Sequence, residues 1–280
     1  MRENHISSMA YPYPALNNPV GRTSRADTWW FVPSLMAVAF AIFICYAVWA
    51  SLQPLECSYL TVGDQHQVVQ PTPAGAAGHV VYRSPFYSPN LKDYFPWFPW
   101  SPAFLIVWLP SLFRLTCYYG RKAYWRSVAM TPPACAVGKG TRSDRYRGER
   151  ALPWVLNNLH RYFLYLILFL VAFHWIHLVE AYNFNGQFGA AMGSLVISAD
   201  TILLTLYVCS CHSLRHIVGG NVDCFSCARG GEARYKVWTG VSKLNIYHNL
   251  FFWLSLFTVG FADLYVRMVA MGTWKDVRFF

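Results

Sequence analysis

Charge is scarce in this 280-residue sequence. Asp, Glu, Lys and Arg together make up 13% of it, about half of the roughly 25% usual in soluble globular chains. So few polar groups cannot cover a water-soluble surface. A disordered chain is excluded as well, since disorder requires high charge and low hydrophobicity. Acid is scarcer than base, 13 residues against 23, which leaves a formal net charge of +10. A basic nucleic-acid-binding domain would carry many more charges of both signs, and no nucleic-acid motif is present, so no nucleic acid is expected as a partner. Gly-rich phosphate loops, a nucleophile elbow and internal repeats are missing too. No signal peptide is expected ahead of the first apolar run, because Met1 to Thr28 is polar and broken by proline.

What the sequence does have is apolar length: 55% hydrophobic residues and 18% aromatics. A bilayer core about 30 Å thick takes about 20 helical residues, and five runs approach that length. Trp30 to Leu52 has no charge. Ser101 to Cys117 is shorter, contains Pro110 and carries only Arg114. Tyr162 to Val179 has no Asp, Glu, Lys or Arg; Phe188 to Leu214 carries only Asp200, and Asn245 to Val266 only Asp263. The expected fold is therefore an all-α integral membrane bundle of five transmembrane helices over residues 29–280, with spans near 30–52, 101–117, 158–182, 188–216 and 245–270. Residues 1–28 form a tail. Segments on the tail's side carry three, eight and four Lys or Arg, whereas those on the other side carry two, none and two. The positive-inside bias places the N-terminus in the cytoplasm of a multi-pass plasma-membrane protein. Tyr94, Phe95, Trp97, Phe98 and Trp100 read as an interfacial aromatic belt.

Ionisable and metal-binding residues within a membrane point to function. The densest group closes the fourth span: Cys209, Cys211, His212, Arg215, His216, Gly219-Gly220, then Cys224 and Cys227. His212 and His216 are four apart, so on a helix both imidazoles emerge on one face, as two ligands of one metal would. Gly219-Gly220 is expected to end that helix and turn the chain back. Cys117 and Cys135 lie at the same depth by the expected topology. Reducing conditions there disfavour structural disulfides, which turns the reading toward metal or cluster binding. His160, Arg161 and His248 share that depth and are candidates for binding a quinone and moving its protons. His174 and His177 read as bundle-facing hydrogen bonders, and Asp263 with Arg267 as an intrahelical ion pair.

Several stretches resemble the membrane-anchor subunit of actinobacterial succinate dehydrogenase (respiratory complex II). They are Phe113-Arg114-Leu115-Thr116-Cys117-Tyr118-Tyr119, Arg121-Lys122-Ala123-Tyr124, Arg126-Ser127 and Pro132 to Val137. Asn158-Leu159-His160-Arg161-Tyr162, the Cys-His-x-x-x-His end of the fourth span, and Asp263-Leu264-Tyr265-Val266-Arg267 belong with them. The likeness runs from about Trp29 to Phe280 and is to the haem-free type of anchor. It implies a subunit of a succinate:quinone oxidoreductase that does not itself act on succinate, a Rieske-like [2Fe–2S] cluster in the membrane domain, and flavoprotein and iron–sulfur partner subunits on the cytoplasmic side. An all-cysteine plant-type cluster lies near about −400 mV, while two imidazole ligands raise the range to roughly −150 to +300 mV. Succinate is a weak reductant, so the mixed set suits a carrier between it and quinone. The ligands expected are His212 and His216 with Cys117 and Cys135; Cys224 with Cys227 is the rival thiolate pair and Cys211 comes third. The eight basic residues between Tyr118 and Leu156 would dock the partners and anionic lipid. Two other readings stay open: a dihaem cytochrome b anchor, and a membrane transporter or sensor holding zinc on the same Cys/His group.

Overall fold

The computed structural model describes residues 28, 30–52, 59–62, 68–69, 80–87, 89, 91, 95, 97, 103–120, 159–184, 186–220 and 222–280. The chain divides into two compact units, Met1–Val38 with Lys122–Tyr146 and Ala39–Arg121 with Arg147–Phe280. Of the first, only Thr28 and Trp30 to Val38 are among the described residues. The helices are α1 (Phe31–Leu52), α2 (Ala103–Ile106), α3 (Trp108–Thr116), α4 (His160–Glu180), α5 (Met192–Cys209), α6 (His212–Arg215), α7 (Gly231–Asn245) and α8 (His248–Ala270).

Four of these, α1, α4, α5 and α8, are long and apolar enough to cross a membrane. The second expected span is instead two short helices joined at Val107. Pro110 has no N–H to give the Ile106 carbonyl, so the ladder runs Val107 N–H to Ala103 O and Ser111 N–H to Val107 O with a gap between them. The fourth expected span also breaks. α5 stops at Cys209, Cys211 is extended (φ −63°, ψ 135°), and α6 restarts for one turn before a wide turn over His216–Gly220. Gly219 serves close packing there, since a Cβ on it would stand 2.8 Å from that of Trp238. The sequence reading had no counterpart for α7, a polar 15-residue helix.

Strands appear where only helices were expected, all outside the four long helices. β1 (Tyr59–Val62) pairs antiparallel with both β2 (Val68–Val69) and β3 (Val80–Arg83), and β4 (Asn183–Phe184) forms a hairpin with β5 (Gln187–Phe188) around Gly186 at φ 81°. Asp276 ties this end of the bundle together by accepting from the Tyr82 and Tyr265 hydroxyls and the Gly193 amide at 2.7–2.9 Å.

The larger unit holds a long apolar core. Phe40, Phe113, Leu164, Ile167, Leu204, Tyr207, Phe252 and Leu256 fill its middle, and Val80, Tyr82, Ile197, Tyr265 and Val266 fill the strand end. Apolar side chains also face outward, among them Ile42, Val48, Phe169, Ile202 and Phe257, as lipid-facing helices require. From Phe40 onward α1 runs beside α8: Phe40 stacks on Phe252, and Tyr46 donates to Asp263 at 2.5 Å. Asp263 and Arg267 form the expected ion pair, at 2.7 Å with both side chains wholly buried. The pair does more than the spacing suggested. Ser84 also donates to Asp263, and Arg267 donates to the Ala50 carbonyl at 3.1 Å, so one buried charge pair joins α1, α8 and the turn after β3.

Candidate metal and electron-transfer site

At the opposite end, four side chains from four helix termini meet. Cys117 follows the last residue of α3, His160 opens α4, Cys211 lies in the break after α5, and His248 opens α8. Cys117, Cys211 and His248 are almost completely buried. The irregular backbone that carries the cysteines is hydrogen-bonded, as apolar surroundings demand. The Cys117 N–H reaches the Phe113 and Arg114 carbonyls, the Cys211 N–H reaches Val208 O, and the Asn245 side-chain amide caps Ser210 O at 2.7 Å.

Hydroxyls beside the two histidines assign their tautomers. Thr116 Oγ1 gives its proton to Leu112 O at 2.7 Å and lies 2.9 Å from His160 Nδ1. Ser210 Oγ gives its proton to Tyr207 O at 2.9 Å and lies 2.8 Å from His248 Nδ1. Each hydroxyl must therefore accept from Nδ1–H, which leaves Nε2 of each ring with a bare lone pair. Those lone pairs face sulfur: His160 Nε2 is 3.3 Å from Cys211 Sγ, and His248 Nε2 is 3.5 Å from Cys117 Sγ. A second partner that pins one ring nitrogen and frees the other is how proteins prepare an imidazole to ligate metal.

Aromatic rings enclose the group. Phe113 stacks on His160 at 4.4 Å between centroids and Tyr207 on His248 at 5.0 Å, while Phe113 and Tyr207 meet edge to face at 5.6 Å. Arg114 is buried with its Cζ 4.7 Å above the Tyr207 ring, and it donates to Phe252 O and Ser255 Oγ at 2.9 and 3.0 Å. The Tyr207 hydroxyl is buried beside the Cys117 thiol.

Among the described residues no three His, Cys, Asp or Glu side chains are placed to hold a single metal ion. A two-iron cluster makes a different demand, two protein ligands per iron. A Rieske-like centre carries both imidazoles on one iron and both thiolates on the other, so the Cys–His contacts of 3.3 and 3.5 Å are approaches between the two ligand pairs rather than spans across one metal. Two thiols and two imidazoles with bare Nε2 atoms, brought together at one end of the bundle, are the donor set that fits such a two-iron cluster.

The expected site residues divide between two places. Cys117 is in the group, and so are His160 and His248, which the sequence reading set aside for quinone. Cys211, ranked third, is the second thiol. His212 is exposed, and His216 Nδ1 lies 3.1 Å from the exposed Arg161 guanidinium. The break at Ser210–Cys211 and the wide turn from His216 replace the single helix that would have put both imidazoles on one face. Cys224 and Cys227 are joined as a disulfide in a tight turn with Cα atoms 5.3 Å apart, contrary to the expectation of reduced thiols. Cys135 and most of the basic stretch between Tyr118 and Leu156 lie outside the described residues. His174 hydrogen-bonds within its own helix, donating from Nδ1 to Leu170 O at 2.9 Å, in keeping with the hydrogen-bonding role expected of it. Sequence reasoning missed Tyr207, Thr116 and Ser210. Thr116 and Ser210 each directly precede a site cysteine, and that is the signal they offered.

Comparison with known proteins supplies the family. No curated protein matches the chain. Among solved structures it is similar to a chain of the Mycobacterium smegmatis Sdh1 complex in the apo form, with 35% identity, a TM-score of 0.75, and 96% of this chain and 97% of that one covered. The profile of the actinobacterial succinate dehydrogenase subunit SdhC matches residues 31–272. Helices of membrane-spanning length, a match over nearly all of the chain and a solved homologue in a succinate dehydrogenase complex agree, and the chain belongs to the actinobacterial succinate dehydrogenase SdhC family of membrane-anchor subunits.

Proposed function

We propose that this anchor carries electrons to membrane quinone through a Rieske-like [2Fe–2S] cluster held by Cys117, Cys211, His160 and His248. The observation that carries the reading is the pair of bare Nε2 atoms, each fixed by a hydroxyl on its far side and aimed at a thiol. When bound, such a cluster takes up and releases one electron at a time, at a potential raised by its imidazole ligands. The chain's residues set the conditions. Thr116 and Ser210 hold the rings in the ligating tautomer, and Phe113 and Tyr207 exclude water from the imidazoles. Arg114 places a buried positive charge beside Tyr207, which favours the more negative, reduced state.

The partners that fit are the flavoprotein and iron–sulfur subunits of succinate dehydrogenase, docked where the sequence is most basic, on the cytoplasmic side by the positive-inside bias. Succinate is oxidised in those partners. The geometry speaks against the two alternative readings. A bis-imidazole haem needs two histidines facing each other across a porphyrin, and here each imidazole faces a thiol. Structural zinc takes four ligands on one ion, and no single-ion arrangement exists among the described residues.

The test is electron paramagnetic resonance of the reduced, assembled complex together with iron and acid-labile sulfide analysis. Mixed imidazole–thiolate ligation gives a lowered average g value. Cys211→Ala or His160→Ala removes that signal, while the double substitution His212→Ala, His216→Ala retains it. A signal lost with the His212/His216 pair and kept in Cys211→Ala overturns the assignment.

A further inference from the structure

The Cys224-Phe225-Ser226-Cys227 turn takes no part in the group at the helix termini, and both of its cysteines are exposed. It lies between the wide turn over His216–Gly220 and α7, at the end of the bundle that the positive-inside bias places in the cytoplasm. Structural disulfides are rare in that reducing compartment, and those that form there are mostly transient and redox-active. Nor does the cross-link add much to the fold. It spans a sequence separation of three, and in chain-entropy terms the shortest loops gain least. The turn is held in other ways. The Ala228 N–H reaches Phe225 O at 3.2 Å, and the Gly231 N–H reaches Ala228 O at 2.9 Å. The Phe225 ring packs edge to face on Tyr235 at 5.3 Å and beside Trp238 at 5.9 Å, and a Cβ on Gly231 would collide with Phe225 O. The pair can therefore open and close without unfolding the turn. A metal site is not open to it, because no third His, Cys, Asp or Glu stands close enough among the described residues.

We propose that Cys224 and Cys227 form a reversible dithiol–disulfide site on the cytoplasmic face of the anchor, and that its partner is a protein dithiol with a Cys-x-x-Cys pair of its own. The two sulfurs are not equivalent. Cys224 Sγ accepts from the Cys227 N–H at 3.2 Å and lies 3.3 Å from Ser226 Oγ, whose hydroxyl must donate because the disulfide sulfur carries no proton. Those two donors stabilise negative charge on Cys224, which makes it the leaving sulfur. A thiolate of the reductant attacks Cys227 Sγ, the S–S bond breaks, and Cys224 departs as a thiolate that takes a proton from water. The second thiol of the reductant then attacks its own sulfur in the mixed disulfide and releases Cys227 as a thiol. In sum the pair gains two electrons and two protons, and the reductant loses the same and becomes a disulfide. Oxidation by a disulfide of the same class retraces these steps, with the Cys224 thiolate as the attacking group.

The experiment uses sealed membrane vesicles of both orientations that hold the assembled complex, oxidised first with glutathione disulfide. Reduced thioredoxin is added, a membrane-impermeant maleimide labels the thiols it exposes, and mass spectrometry maps the label. Cys224 and Cys227 are expected to be labelled together, in inside-out vesicles only and only after thioredoxin, and to be lost to the label again when glutathione disulfide is restored. Thioredoxin is expected to act roughly tenfold or more faster than glutathione at equal thiol concentration, and a smaller ratio overturns the protein-dithiol partner. Labelling before reduction, labelling in right-side-out vesicles, or failure to reclose overturns the site. So does a pair that stays unlabelled until the complex is denatured, which is the behaviour of a structural disulfide. Limiting iodoacetamide on the reduced complex is expected to alkylate Cys224 first; equal or faster reaction at Cys227 overturns Cys224 as the leaving sulfur. The double substitution Cys224→Ser, Cys227→Ser is expected to abolish the label at this turn while the complex still assembles, and label persisting there overturns the assignment.

Discussion

Arg114→Gln isolates the effect of a single buried charge on the proposed electron carrier. The guanidinium carbon stands 4.7 Å above the Tyr207 ring, whose centroid is 5.0 Å from that of His248, so the charge lies within about 10 Å of the imidazole proposed as a ligand. Unit charges about 10 Å apart interact by about 1.7 kcal/mol at an effective dielectric constant near 20, which is about 70 mV for one electron. The sign follows from the charge: losing a cation disfavours the more negative, reduced state, so the midpoint potential falls. Glutamine retains a donor for Phe252 O, and Arg114→Lys, which keeps the charge, is expected to hold the potential near the wild-type value. The assay is a redox titration of the assembled complex followed by electron paramagnetic resonance. A fall of less than about a third of the expected value, or any rise, refutes the placement of this charge beside the carrier. An equal fall in Arg114→Lys shows that geometry, not charge, sets the potential.

Other consequences are as direct. Asp263→Asn leaves the wholly buried Arg267 without its counter-charge and is expected to destabilise the subunit by about 3–5 kcal/mol, whereas Asp263→Leu with Arg267→Met is near neutral; thermal melts of the complex decide it, and equal losses in both variants refute the charge argument. Thr116→Val frees His160 Nδ1 from its only fixed hydroxyl and lowers retention of iron roughly 10–100-fold, as loss of an outer partner does, measured by iron content after a graded chelator challenge. Burial and the neighbouring Asp276 carboxylate hold the Tyr82 phenol above its ordinary value. The folded state thus retains a proton that the unfolded chain loses near about pH 10, and stability falls as the pH rises past that point; Tyr82→Phe should flatten this slope in alkaline melts, and an unchanged slope rejects the linkage.

Features written in local spacing could be read from the sequence, and convergent ones could not. Apolar length alone marked α1, α4, α5 and α8, and the four-residue spacing of Asp263 and Arg267 gave their ion pair. Pro110 announced trouble in the second span, but the missing Ile106 acceptor bond that splits it is visible only once the flanking turns are in place. His212 and His216 drew attention for the same reason that Asp263 and Arg267 did, a spacing that presumes an unbroken helix. Nothing local forecasts the stop at Ser210. The carbonyl it frees is capped by Asn245, 35 residues later. Cys211 could therefore be ranked as one thiol among several but not placed.

The helix breaks themselves explain how this end of the bundle brings the four proposed ligands together. A regular transmembrane helix satisfies its own backbone and presents side chains only sideways. Where α3 and α5 stop, Cys117 and Cys211 turn into extended backbone (ψ 140° and 135°), and their thiols reach the first residues of α8 and α4. Each stop requires a replacement hydrogen bond, and the hydroxyls of Thr116 and Ser210 close bonds to the preceding turn. With their protons committed there, those oxygens can only accept, and that fixes His160 and His248 with Nε2 toward sulfur. The same two hydroxyl groups thus bond the helix ends and orient the two imidazoles proposed as ligands. Replacing either by alanine should therefore disturb both the local helix end and iron retention, whereas alanine at His212 should disturb neither.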